Sequence, residues 1–124
     1  MKGDYAHAHW AQPLDTDLLA RQHAQFVELL VRLGCEVSVL DPVVDMPDAC
    51  FVYDPAFVTG AGVIELRGAK QVRAGEPPLL AHDLHDLGIP LIGRLRAPAT
   101  ADGGDMFWLD DRTLAIGRSY RTNQ

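Results

Sequence analysis

Apolar residues recur at helical spacing through Leu19, Phe26, Leu29, Leu30 and Leu33, after a lead-in of thirteen residues without periodicity. Asp15 and Thr16 are suited to cap this helix, and Gly34 to stop it. Cys35 to Leu40 then alternates and is β-branched, which predicts a strand. Prolines punctuate the stretch from Pro42 to Pro47, and PDACFVYDP follows, from Pro47 to Pro55. Ala56–Gly60 and Val63–Leu66 read as two short strands joined at Gly60-Ala61-Gly62. Residues 67–75 form a loop rich in Gly, Lys and Arg. Glu76, Pro77 and Pro78 suit a helix start, Leu80, Leu84 and Leu87 give that helix its apolar face, and Gly88 closes it. Ile89–Leu95 is predicted as a strand. Asp105–Leu109 and Thr113–Gly117 are predicted as a hairpin turned at Asp110-Asp111.

The predicted order is helix, strand, hairpin, helix, strand, hairpin, which is a repeat. Leu33-Gly34 returns as Leu87-Gly88 at an offset of 54 residues, and the same offset carries Asp48 onto Asp102. Modules stacked about a common axis would aim both carboxylates at one centre.

Length and composition narrow the classes. A chain of 124 residues, 48% apolar, suits one modest domain with a real core. Eleven basic and seventeen acidic residues give a formal charge of −6. That balance argues against nucleic acid or an anionic membrane as partner and suits the binding of cations. No apolar run approaches a membrane span, and MKGDYAHAHW lacks the apolar stretch of a signal peptide. Cys35 and Cys50 have no framework spacing, so a reduced, cytoplasmic protein is the simplest reading.

The acidic candidates are Asp48, Asp54, Asp102 and Asp105, each beside a turn or strand end, where binding residues collect. On a straight strand Asp48 and Asp54 would share a face but stand roughly 20 Å apart. They converge only if PDACFVYDP curves, and converging carboxylates repel unless a cation lies between them. A guanidinium suits such a site, because its planar fork pairs with carboxylates through parallel hydrogen bonds. Solvated turn aspartates are the competing reading. Arg73 and Arg121 could hold the anionic end of a ligand, or could be surface arginines. The spacings of His7 with His9 and of His82 with His85 suit exposed histidines better than a structural metal site, which needs four ligands. No metal or other cofactor is expected.

PDACFVYDP, KQVRAGE (Lys70 to Glu76), DGGD (Asp102 to Asp105) and GRSYRTN (Gly117 to Asn123) occur in the order seen in dimethylarginine dimethylaminohydrolases. From about Leu19 to its last residue, the chain resembles that branch of the guanidino-group-modifying superfamily, with its arginine deiminases and amidinotransferases. The resemblance implies an α/β fold of ββαβ modules arranged as an α/β propeller. About two modules would be present, residues 1–124 forming the N-terminal part of a single catalytic domain. Asp48 and Asp54 match aspartates that contact the substrate's guanidinium and α-amino regions. Arg73 and Arg121 match arginines that contact its α-carboxylate. Asp102 stands where a glutamate commonly helps to place the catalytic histidine, and is one methylene shorter. Tyr53 stands where these hydrolases usually have glutamate and deiminases arginine, which leaves hydrolase and amidinotransferase both open.

The reaction implied is attack of a cysteine on the guanidinium carbon, with a histidine shuttling protons and a covalent amidino-thioether intermediate. The family's histidine follows the RTN motif and its cysteine lies near the C-terminus, so both are expected to be lacking here. Cys35 reads as a core position, and Cys50 has no histidine nearby in sequence. The expected ligand is a small guanidino compound, arginine or a methylarginine. A homodimer and a non-catalytic guanidino-binding module remain open.

Overall fold

The computed structural model describes residues 15–41, 43, 45, 46 and 48–123. The expected irregular lead-in, with His7 and His9, lies outside the described residues, as do Pro42, Val44 and Pro47. The chain divides into two compact units, Met1–Pro42 and Val43–Gln124.

The first unit holds helix α1, Thr16–Arg32. The Asp15 carboxylate accepts from the Leu18 amide at 2.9 Å, satisfying one of the four amides that a helix start leaves unpaired. Gly34, at φ 87°, ends the helix. The Gly34 amide donates to Val31 O (2.9 Å) and the Cys35 amide to Leu30 O (3.0 Å), closing the Schellman motif. Cys35–Leu40 is not the strand its alternation predicts. A strand exists only where its amides and carbonyls meet a neighbour, and the described part of this unit offers no second strand.

The second unit is α/β. Strand β1 (Ala56–Thr59) pairs antiparallel with β2 (Gly62–Glu65), with Phe57 opposite Ile64. Helix α2 (Glu76–Asp86) then crosses over to β3 (Leu91–Arg94), which lies parallel to β2. This is one ββαβ module. A second hairpin follows, β4 (Met106–Asp110) with β5 (Thr113–Ile116), its turn fixed by the Asp110 carboxylate accepting from the Arg112 amide at 2.8 Å. Gly62, at φ 143°, lies where a Cβ would overlap the Pro90 carbonyl, so the β2–β3 approach requires glycine there. Phe57, Leu66, Ala101 and Met106 form the core, with Ile64, Leu95 and Leu114 packed against it. Leu80 and Ala81 are the buried apolar stripe of α2, whereas Leu87 is exposed.

The repeat read from Leu33-Gly34 and Leu87-Gly88 is present at the helix ends and the turns, but not at the strand expected after the first helix. Gly88, at φ 84°, and Ile89 donate to His85 O and Leu84 O, the same pattern 54 residues on. The Phe51 amide meets Asp48 O at 3.0 Å, and the Asp105 amide meets Asp102 O at the same distance. The hairpin strands, by contrast, start only 50 and 51 residues apart, at Ala56 and Met106 and at Gly62 and Thr113.

Candidate functional site

PDACFVYDP does curve. The Ala49, Phe51 and Asp54 amides donate in turn to Met46 O, Asp48 O and Phe51 O at 3.0–3.1 Å, folding the segment into consecutive turns. Arg73 closes the curve, on a 3₁₀ turn (Gln71–Arg73) just ahead of α2. Its Nη1 reaches Asp54 Oδ2 at 2.5 Å, and its Nη2 reaches the Asp48 and Phe51 carbonyls at 3.2 and 3.5 Å. Glu76, the first residue of α2, takes the other edge: Nε donates to both Glu76 oxygens (2.9 and 2.8 Å) and Nη2 to Oε2 (2.6 Å). The cation needed between converging carboxylates is therefore the chain's own. Asp48, 5% exposed, has Lys70 Nζ 3.6 Å from Oδ2.

A second loop meets the first. Gly103 N donates to Asp54 O at 2.9 Å, and a Cβ at Gly103 would overlap the Tyr53 carbonyl. Only glycine permits this approach. Asp102 caps the turn Gly103–Asp105 through Gly104 N (3.0 Å) and lies 3.5 Å from Arg121 Nη1. The GRSYRTN loop is held by Asp105, whose Oδ2 accepts from Ser119 Oγ (2.6 Å) and Thr122 Oγ1 (2.7 Å). Thr122 Oγ1 in turn accepts from Asp102 N at 3.1 Å. These bonds set Arg121 beside Asp102, with the guanidinium 5.3 Å from the Tyr120 ring and Nε donating to the Tyr120 hydroxyl.

Asp54, Lys70, Arg73, Glu76, Asp102 and Arg121 line one pocket of about 20 Å³. Four of the five residues expected at the site, Asp54, Arg73, Asp102 and Arg121, are thus brought together. Asp48 is not in the lining and sits behind Lys70. Lys70 and Glu76 were not among the expected site residues. The signal for them was the spacing of Lys70, Arg73 and Glu76, three residues apart, in a stretch that starts a helix.

Burial works against the charge of Arg73, but the bonds to Glu76 and Asp54 outweigh it and hold its pKa above the ordinary value. Burial, then the neighbouring Asp54 carboxylate, push Asp102 above the usual carboxylate range, against the opposing pull of Gly104 N–H and Arg121. The Ser119 and Thr122 hydroxyls hold Asp105 below that range. The Cys50 thiol is pushed up by burial and next by the Asp48 carboxylate, the reverse of what an attacking thiolate needs. Among the described residues no group of three His, Cys, Asp or Glu is arranged to hold a metal ion. No described helix is long and apolar enough to cross a membrane.

No protein-family model matches the chain. It is 28% identical over 116 residues to the N(G),N(G)-dimethylarginine dimethylaminohydrolase of Pseudomonas aeruginosa, covering 94% of this chain and 45% of that protein. It is 31% identical over 112 residues to the enzyme of the same name from Streptomyces coelicolor, covering 90% and 43%. Among solved structures it resembles a cysteine-to-serine variant of the Pseudomonas aeruginosa enzyme complexed with citrulline. There the TM-score is 0.77 and the identity 30%, over 83% of this chain and 40% of that one. The chain therefore spans less than half the length of these relatives. In sequence, and in its α/β fold with a ββαβ module, the chain is similar to part of the dimethylarginine dimethylaminohydrolases.

Proposed function

We propose that this chain carries the ligand-gripping part of a hydrolase acting on the guanidino group of arginine or a methylated arginine, with citrulline as product. The observation that carries the reading is the pocket itself, where Asp54 and Asp102 neighbour each other, Asp54 paired with Arg73 and Asp102 with Arg121. The lining holds three acids and three bases, and Asp48 behind Lys70 adds one further negative charge. A ligand with two cationic groups and one carboxylate, such as arginine, balances that set. In this reading Asp54 meets the guanidinium directly, and Asp48, paired with Lys70 outside the lining, contributes its charge from behind. Arg121, its side chain 36% exposed, meets the carboxylate, with Arg73 behind it.

Asp102 has the features of a residue that holds an imidazole. It is a mostly buried carboxylate whose ionised form becomes favourable once a cation or N–H donor arrives. Neither the histidine it would orient nor the cysteine that would attack the guanidinium carbon is matched by a described residue near the pocket. His82 is exposed on α2, and the Cys50 thiol is shifted the wrong way. In this reading the chain holds the ligand, as part of one catalytic domain. Amidinotransferase is the second reading, favoured by Tyr53: it is a neutral phenol bonded to Met106 O, where the hydrolases usually carry a carboxylate.

The test is NMR titration of the folded chain with arginine, N-methylarginine and lysine. Binding of the two guanidino compounds, at least tenfold tighter than lysine and lost in Asp54→Asn, is expected. Equal affinity for lysine, or no binding by a folded chain, overturns the proposal.

A further inference from the structure

The pocket's volume of about 20 Å³ has room for roughly one water molecule. A guanidino ligand of the kind proposed above enters only by taking over carboxylate partners that the chain's own cations now hold. Arg73 has two such partners, and they are not equivalent. Glu76 receives three short bonds from Nε and Nη2 along one edge of the guanidinium, and its side chain is 4% exposed. Asp54 receives one bond, from Nη1, and its side chain is 19% exposed. Asp54 also faces the pocket from the same loop seam as Gly103.

We propose that Glu76 is a positioning residue. By holding the Nε–Nη2 edge of Arg73, it keeps that guanidinium in place while Asp54 passes from Nη1 to an incoming guanidinium. This rests on the reading of the pocket as a guanidino site. The exchange then leaves neither cation orphaned, because Arg73 retains a buried carboxylate throughout. Without Glu76, Asp54 would be the one carboxylate left to Arg73 among the described residues, and releasing it to a ligand would strand a cation that is itself 9% exposed. Glu76 is also well placed for this, since a carboxylate in the first turn of α2 is favoured by the helix dipole. The spacing of three residues lets it reach back to Arg73 without help from any other part of the fold.

A purely structural glutamate would affect folding but not the ligand affinity of the folded chain, and the experiment separates the two. Backbone amide spectra first establish that Glu76→Gln, which keeps the shape and loses the charge, is folded. Solvent exchange of the Arg73 Nε–H, assigned through Arg73→Lys, is then compared with wild type, and arginine is titrated into both. Expected in Glu76→Gln are Nε–H exchange faster by about tenfold and arginine affinity weaker by about tenfold, a change of 1.4 kcal/mol. Glu76→Asp should fall between the two proteins. Unchanged Nε–H exchange, or unchanged arginine affinity despite faster exchange, overturns the proposal. If Glu76→Gln does not fold, Glu76→Asp carries the same comparison with the same two criteria. A wild-type chain that is folded but ignores arginine overturns the functional reading and the exchange step with it. The Nε–H comparison alone then decides whether Glu76 holds Arg73.

Discussion

Replacing Arg73 by methionine keeps much of the side-chain volume and removes the charge. Two carboxylates lose their partner: Glu76, 4% exposed at the side chain, and Asp54, 19% exposed. Breaking a buried pair by deleting one member costs roughly 3–5 kcal/mol, because the remaining charge is left uncompensated. The Asp48 and Phe51 carbonyls also lose a donor that pins PDACFVYDP into its curve. At about 0.05–0.15 kcal/mol per residue, the unit from Val43 to Gln124 has only about 4–12 kcal/mol in hand. With a urea m-value of about 1 kcal/mol/M, the midpoint should fall by about 3–5 M, or the unit should be unfolded in buffer. Arg121→Met is the matched control. Its carboxylate contact is long, 3.5 Å, and its side chain is 36% exposed, so its loss should cost under about 1 kcal/mol. Lowering the pH should shrink the Arg73→Met deficit, since acid neutralises the orphaned carboxylates. Equal midpoint shifts in the two variants would refute the reasoning that Arg73 is the unit's buried cation.

Two further outcomes follow from the shifted groups. Because burial and Asp54 hold the Asp102 pKa up, ionising Asp102 costs the folded chain. That cost is absent below the unfolded-state value of about 4 and complete above the raised folded-state value. The stability of wild type relative to Asp102→Asn should therefore fall as pH rises through that window, and a difference constant from pH 3.5 to 7 would contradict it. At pH 8, iodoacetamide should alkylate Cys50 several-fold more slowly than a small free thiol, because its pKa is raised. Asp48→Asn should speed the reaction, and an unchanged rate would remove Asp48 as a cause.

What was legible in the sequence is what local chemistry decides. Helix spacing and terminal glycines placed α1 and α2 well, and Gly34 and Gly88 stop them with the same pair of backbone bonds. Both hairpins were visible from their turn residues. The strand expected at Cys35–Leu40 was not there, because alternation records only a preference and a ladder needs a partner that the segment itself does not specify. At the site, the order of four motifs pointed to Asp54, Arg73, Asp102 and Arg121, which share one pocket. The partners of Arg73 were not legible. The resemblance implies a grip on a ligand carboxylate, whereas the Arg73 N–H groups donate to Glu76, Asp54 and two backbone carbonyls. Glu76 looked like a helix start, and it is one; nothing in its position alone shows that its side chain turns back toward the preceding loop.

The seam between the two site loops bears on how such a pocket can diverge. Gly103 lies flush against the Tyr53 carbonyl and bonds to the Asp54 carbonyl, so the loops meet backbone to backbone. Inserting or deleting one residue between Phe51 and Pro55 would move those carbonyls out of register and separate the walls of the pocket. The Tyr53 side chain is half exposed and takes no part in that backbone contact. New ligand preferences are therefore reached more readily by exchanging side chains at a fixed loop length than by lengthening or shortening the loops. The site behaves as a rigid frame with replaceable fittings, and Tyr53 is the position at which libraries of variants should start.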